Sequence, residues 1–254
     1  MTFTIALAGK GGTGKTTVSA LMIKSIMEKT PKPILAIDAD PASNLHLALG
    51  LPMPPTVGEI REETSRVAQQ GELGVSISRH DYLTREIRMA MEEGEHVDLL
   101  TMGRPEGQGC YCAINHLLRV IIDEVGNHYP FVVIDNEAGM EHISRRTTQD
   151  VDLLLLVTDP TVRGVKTAGE MAKLAKDLEI NVEEIKLIIN RVSGELPEPL
   201  MKAVEDIGVE VATFIPADES VNHMDAIGEP LIHLDGDSPA WKAVDEMVQK
   251  LILT

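Results

Sequence analysis

The segment Gly9-Lys10-Gly11-Gly12-Thr13-Gly14-Lys15-Thr16-Thr17 carries the clearest chemistry in the chain. It fits the pattern Gly-x-x-x-x-Gly-Lys-[Ser/Thr], which cradles the phosphates of a nucleotide. Its glycines let backbone N–H groups converge on phosphate oxygens that side chains would block. A helix opening behind the loop adds the partial positive charge of its N-terminus. In this pattern Lys15 neutralises the β- and γ-phosphates, Thr16 ligates Mg²⁺ through its hydroxyl, and Thr17 contacts the α-phosphate. Lys10 places a second cation inside the loop.

Two acid-ended apolar runs suit the same chemistry. The first ends in Asp38-Ala39-Asp40-Pro41. Two carboxylates there suit a magnesium-bound water and an attacking water, whereas an Asx turn accounts for only one of them. The second, Phe131-Val132-Val133-Ile134-Asp135, ends in an acid of the kind that supports magnesium in nucleotide hydrolysis. Gly139 stands four residues on, where a glycine permits close backbone approach to a γ-phosphate. Asn-Lys-x-Asp, the guanine-reading motif, is missing.

The only two cysteines fall at Cys110 and Cys112. Two small buried hydrophobes would satisfy packing. A thiolate pair near a helix N-terminus would bind metal. A disulfide across one residue would be strained. One pair supplies two sulfurs, and a closed tetrahedral site wants four ligands. A two-fold dimer presents the pair twice and completes the set. Ligand type allows Zn²⁺, Ni²⁺, Cu(I) or an iron–sulfur cluster. His116 and His142 are either spare ligands or satisfied surface residues.

These residues need a frame that brings strand ends together. Short apolar runs recur at Thr4–Ala8, Pro33–Asp38, Val97–Met102, Phe131–Asp135, Leu153–Thr158, Ile185–Asn190 and Glu210–Ile215. Their richness in Val, Ile and Leu predicts strands buried on both faces of a parallel sheet. Amphipathic stretches at Lys15–Lys29, Ala113–Val125, Val165–Leu178 and Pro197–Ile207 predict the crossover helices. The alternation predicts one α/β domain over residues 1–254, a P-loop NTPase with a mostly parallel twisted sheet of about seven or eight strands and helices on both faces. Ligands of such sheets gather at the carboxyl ends of the strands, where the loop and the acids stand. Residues 51–95 break the pattern and predict an irregular helical insertion.

Composition narrows the partners. Lys plus Arg number 23 and Asp plus Glu 40, a net charge of −17. That balance argues against nucleic acid and anionic membrane surfaces, both of which attract clustered cations. No apolar run approaches the ~18 residues of a membrane span. With no signal-peptide pattern and two cysteines, the expected compartment is the cytoplasm.

The loop Gly-Lys-Gly-Gly-x-Gly-Lys-Thr-Thr resembles the deviant phosphate loop of the MinD/ParA family of dimerising ATPases. That resemblance implies that Lys10 reaches the partner subunit's nucleotide, that Asp40 activates the attacking water, and that Asp38 contributes to the magnesium shell. It also implies that Asn190-Arg191 and Pro216-Ala217-Asp218 contact adenine, which favours ATP over GTP. Gly109-Cys110-Tyr111-Cys112 and Asp135-Asn136-Glu137-Ala138-Gly139-Met140-Glu141-His142 narrow the likeness to the CooC and AcsF maturation ATPases. What these imply is a homodimer that hydrolyses ATP to ADP and phosphate. Its paired cysteines would hold nickel, or zinc in its place, and deliver nickel to apo carbon monoxide dehydrogenase or apo acetyl-CoA synthase. An iron–sulfur carrier shares these features. A MinD-like membrane switch would need a basic amphipathic tail. The stretch Trp241–Leu253 instead mixes Lys242 and Lys250 with Asp245 and Glu246, as expected of a helix closing the core.

Overall fold

A computed structural model describes residues 2–71, 78–103, 125–139, 151–177 and 181–253. Among them, eight strands form one sheet in the order β3-β4-β2-β5-β1-β6-β7-β8. The strands are β1 (Phe3–Gly9), β2 (Ile34–Ala39), β3 (Glu92–Glu93), β4 (Val97–Thr101), β5 (Phe131–Asn136), β6 (Val151–Thr158), β7 (Val182–Val192) and β8 (Val211–Pro216). Every adjacent pair is parallel except β3–β4. The expected α/β sheet is therefore present, and each of its apolar runs is a strand. The two-residue edge strand β3 was not legible, because its paired residues are both glutamate and only the backbone holds them.

Eight helices pack around the sheet among the described residues: α1 (Lys15–Lys29), α2 (Leu45–Leu49), α3 (Val57–Gln69), α4 (Arg79–Ala90), α5 (Val162–Asp177), α6 (Glu198–Ile207), α7 (Glu219–Ile227) and α8 (Pro239–Leu251). The side-chain period of two divides each buried strand between two cores. Ile5, Leu7, Ile34, Ala36, Val133 and Leu155 pack with Leu21, Met22, Ile26, Trp241 and Val244 of α1 and α8. Ala6, Leu35, Ile37, Val132, Ile134 and Leu154 pack with Val57, Val165, Met171, Leu200 and Ala203 of α3, α5 and α6. The helix expected from Ala113 lies outside the described residues. Residues 51–95 contain α3, α4 and β3, and Val57 and Ile87 reach the second core.

Helix starts follow local chemistry. Thr56 and Glu59 form a reciprocal capping box on α3. Ser78 caps α4, and Ser238 caps α8 ahead of Pro239. Asp218 caps α7 by accepting the Ser220 N–H at 2.8 Å. Its other oxygen accepts the Ser238 hydroxyl at 2.6 Å and the Ala240 N–H at 3.2 Å. One buried carboxylate thus fastens the starts of α7 and α8 together. Burial pushes its pKa up, but these hydrogen bonds outweigh that and hold it below the usual carboxylate range.

Replacing Asp218 with Ala strips a cap and leaves a buried hydroxyl and N–H unpaired. Urea unfolding of this variant is expected to show a loss of about 2–3 kcal/mol. Ser238→Ala, which removes the hydroxyl but keeps the carboxylate, is expected to lose about 1 kcal/mol.

Candidate functional site

Helix α1 differs from the capped helices. Its N-cap is Gly14, with φ at 89°, no side-chain cap and no acid in the first turn. Its leading N–H groups therefore stay unclaimed by side chains and face the loop. That arrangement favours an anion, since backbone donors and helix dipole point the same way. A Cβ at Gly14 would sit 2.4 Å from Asn190 Nδ2, so both space and backbone conformation require glycine there. At Gly9, a Cβ would sit 2.2 Å from the carbonyl oxygen of Val157 on the neighbouring strand.

The loop is held by residues at neighbouring strand ends. Asn190 Nδ2 donates to the Thr13 carbonyl at 2.8 Å, and Asn190 Oδ1 accepts the Arg191 N–H at 2.9 Å. Arg191, at a left-handed φ of 60°, donates from Nη1 to the Gly12 carbonyl at 2.9 Å. The Thr13 hydroxyl donates to the Lys10 carbonyl at 2.9 Å. Gly139 joins from the end of β5 by donating its N–H to the Gly9 carbonyl at 3.1 Å. Lys15 is buried, whereas Lys10, Gly11 and Gly12 are exposed.

The structure brings both acid-ended strands to this edge. The Thr16 hydroxyl donates to Asp135 Oδ2 at 2.6 Å. Asp135 Oδ1 is buried and has no hydrogen-bond partner among the described residues. Burial pushes the Asp135 carboxyl up to about 6, while the Thr16 hydrogen bond and the Lys15 charge pull the other way. Asp38, its register partner on β2, is 0% exposed. Its oxygens accept the Asp40 N–H at 3.1 Å and the Leu45 N–H at 2.9 Å. Burial is the main reason its pKa is pushed up to about 7, and the Asp135 charge adds to it. Asp40 is half-buried, and its Oδ1 accepts the Ala42 N–H at 2.8 Å. Hard oxygen donors, a buried orphan carboxylate oxygen and a hydroxyl fit a magnesium ion carried in with a nucleotide. Thr16 and Asp135 are the side chains that would hold it, with Asp38 behind them.

A cavity of about 180 Å³ adjoins the loop. Thr17, Asn190, Arg191, Pro216 and Asp218 line it, together with apolar Val18, Leu21 and Ile215. The positions expected near a base therefore meet in one place. The Asn190 carboxamide and the Asp218 carboxylate are committed to protein partners at both ends, so their side chains shape the cavity walls. Cys110, Cys112, His116 and His142 lie outside the described residues, and among the described residues no cluster of three metal-ligating side chains occurs. Sequence reasoning did not single out Thr101 or Ser19, polar residues wholly buried beside this edge. Thr101 carried one signal: a polar residue near the end of an apolar run.

A strand, phosphate loop and helix, with two acid-ended parallel strands next in order on one side, define a P-loop nucleotide hydrolase. Residues 4–231 match the model of the CobQ/CobB/MinD/ParA nucleotide binding domain, and the chain belongs to that family of ATP-binding P-loop ATPases. An uncharacterized ATP-binding protein of Methanocaldococcus jannaschii is 42% identical over 248 residues, covering 98% of each chain. The carbon monoxide dehydrogenase accessory protein CooC of Rhodospirillum rubrum is 30% identical, over 88% of this chain and 87% of that one. The fold is shared with the septum site-determining protein MinD complexed with Mg-ADP from Pyrococcus horikoshii, at a TM-score of 0.69 and 22% identity over 99% of this chain and 96% of that one. No helix among the described residues is long and apolar enough to cross a membrane.

The raised acids give a signed expectation. Asp135 binds its proton more tightly in the folded chain, so this group's contribution to stability falls as pH rises from 3.8 toward about 6. Without nucleotide or magnesium, Asp135→Asn is expected to be more stable than wild type at pH 8, by on the order of 2 kcal/mol. That advantage should shrink as the pH is lowered through about 6, as followed by urea unfolding.

Proposed function

We propose that this ATPase is a metallochaperone that works as a nucleotide-closed homodimer. Cys110 and Cys112 of each chain hold nickel as cargo, and hydrolysis opens the dimer to release it into apo carbon monoxide dehydrogenase or apo acetyl-CoA synthase. The observation that carries this reading is the likeness to CooC along most of both chains, in a chain whose only cysteines stand two apart at 110 and 112. Two thiolates from each of two subunits make the four soft ligands that nickel or zinc accepts. The coupling is supported by sequence order, because β4 ends at the phosphate-loop edge and Cys110 and Cys112 follow it in the chain.

The proposed roles follow from the site. Backbone N–H groups of Gly9–Thr17 bind the phosphates, and Lys15 offsets their charge. Thr16 and Asp135 would hold magnesium, which would supply further positive charge beside the phosphates. Asp40, on an exposed turn beyond β2, orients the attacking water. Lys10, exposed in the loop, is free to reach a second copy's nucleotide and stabilise charge on the transferring phosphate, as an arginine finger does. Asp38 and Gly139 report the state of the γ-phosphate to their loops. Asn190, Arg191, Pro216 and Asp218 shape the adenine pocket.

Two tests separate the parts. Anaerobic nickel titration with mass-resolved light scattering, with and without ATP, is expected to give one nickel per dimer. The Cys110→Ser/Cys112→Ser variant should lose that binding while keeping nucleotide affinity. A nucleotide-dependent dimer without metal affinity would instead mark a regulatory switch. Lys10→Ala is expected to bind ATP but hydrolyse it at least about a hundredfold more slowly. Hydrolysis at the wild-type rate would remove Lys10 from the cross-dimer role.

A further inference from the structure

Three neighbouring strands end in one polar row. Thr101 on β4, Asp38 on β2 and Asp135 on β5 are in-register partners. Their side chains therefore leave the sheet on the same face, the one covered by α1. Thr101 is 0% exposed, and its hydroxyl has no hydrogen-bond partner among the described residues. Packing alone would favour valine at this position, with the same shape and no desolvation cost.

The next member of the row explains what a hydroxyl offers there. Both donors to the Asp38 carboxylate, the N–H groups of Asp40 and Leu45, belong to the turn that follows β2 and the helix start beyond it. Any rearrangement of that turn around a nucleotide takes a donor from a wholly buried carboxylate. Thr101 is the in-register side-chain donor on the neighbouring strand and lies outside that turn. The β4 backbone is also fastened to the same residue, because the Met102 N–H donates to the Asp38 carbonyl at 2.8 Å.

We propose that Thr101 is a positioning residue for ATP hydrolysis. Its hydroxyl takes over as donor to Asp38 when the turn at residues 39–44 rearranges, and so keeps the carboxylate aimed at the nucleotide edge. Thr101 itself touches neither the nucleotide nor the reacting atoms. The inference rests on Asp38 serving the nucleotide site and does not depend on the cargo metal, so the nickel titration and the test below fail independently.

The test compares full-length Thr101→Val and Thr101→Ser with wild type, reading kcat and KM for Mg-ATP hydrolysis and the nucleotide-free melting temperature. Thr101→Val is expected to lower kcat about tenfold, with KM changed less than about twofold, while the melting temperature holds or rises. Thr101→Ser keeps the hydroxyl and is expected to return kcat to within about twofold of wild type, although it loses a buried methyl. A merely structural threonine would give the reverse order, with serine the more damaging change. Wild-type kcat in Thr101→Val, or equal loss of kcat in both variants, overturns the proposal, as does an effect on KM alone. If Thr101→Val fails to fold, Thr101→Ala supplies the same comparison without the hydroxyl.

Discussion

Two carboxylates buried side by side, Asp38 and Asp135, set the terms for the rest of the molecule. Removing them from water is costly, and their proximity adds like-charge repulsion. The fold answers this only in part. Two backbone donors serve Asp38, while one hydroxyl and the nearby Lys15 charge serve Asp135. One Asp135 oxygen has no hydrogen-bond partner among the described residues. Donors and positive charge are thus scarce around the two carboxylates at this edge of the sheet. A magnesium ion would supply the charge, and its bound waters the donors.

The phosphate loop must be rigid before that ligand arrives, and its own sequence cannot make it so. Gly9, Gly11, Gly12 and Gly14 leave the backbone free to adopt many shapes. Rigidity comes from two separate strand ends. Asn190 and Arg191 hold the Thr13 and Gly12 carbonyls from β7, and Gly139 holds the Gly9 carbonyl from beyond β5. With carbonyls drawn outward by these donors, the opposing N–H groups are left for phosphate. The Asn190 and Arg191 side chains also wall the neighbouring cavity, so loop and cavity share one brace. Beside that cavity, Asp218 ties α7 to α8, which fixes its wall to the core.

The acid-rich surface and the buried acids belong to different problems. A net charge of −17 keeps polyanionic surfaces away and acts at long range through screened solvent. Asp38 and Asp135 act at close range in low dielectric, where one hydrogen bond decides whether the charge is tolerated. At the edge carrying that charge, the turn after β2 lies next to the end of β4, with the Met102–Asp38 hydrogen bond between them. In sequence, Cys110 and Cys112 follow β4.

The strand–helix alternation, the loop at Gly9–Thr17 and the acids Asp38, Asp40 and Asp135 were all legible in the sequence, because each depends on local spacing or on an uninterrupted apolar run. The glutamate pair of β3 and the five-residue α2 were not, since neither is long enough to show a period. Residues 51–95 were expected to be helical, but Leu-Pro-Met-Pro-Pro and a charged composition hid which of their residues, Val57 and Ile87, reach the core. What only the tertiary structure decided is which polar atoms are spent and which remain. That Asn190 braces the loop, that Asp218 is fully engaged, and that Thr101 stands unpaired in the row of Asp38 and Asp135 are facts of cross-strand register. Register joins residues far apart in the chain, and hydrogen-bond satisfaction is settled only when those neighbours are in place.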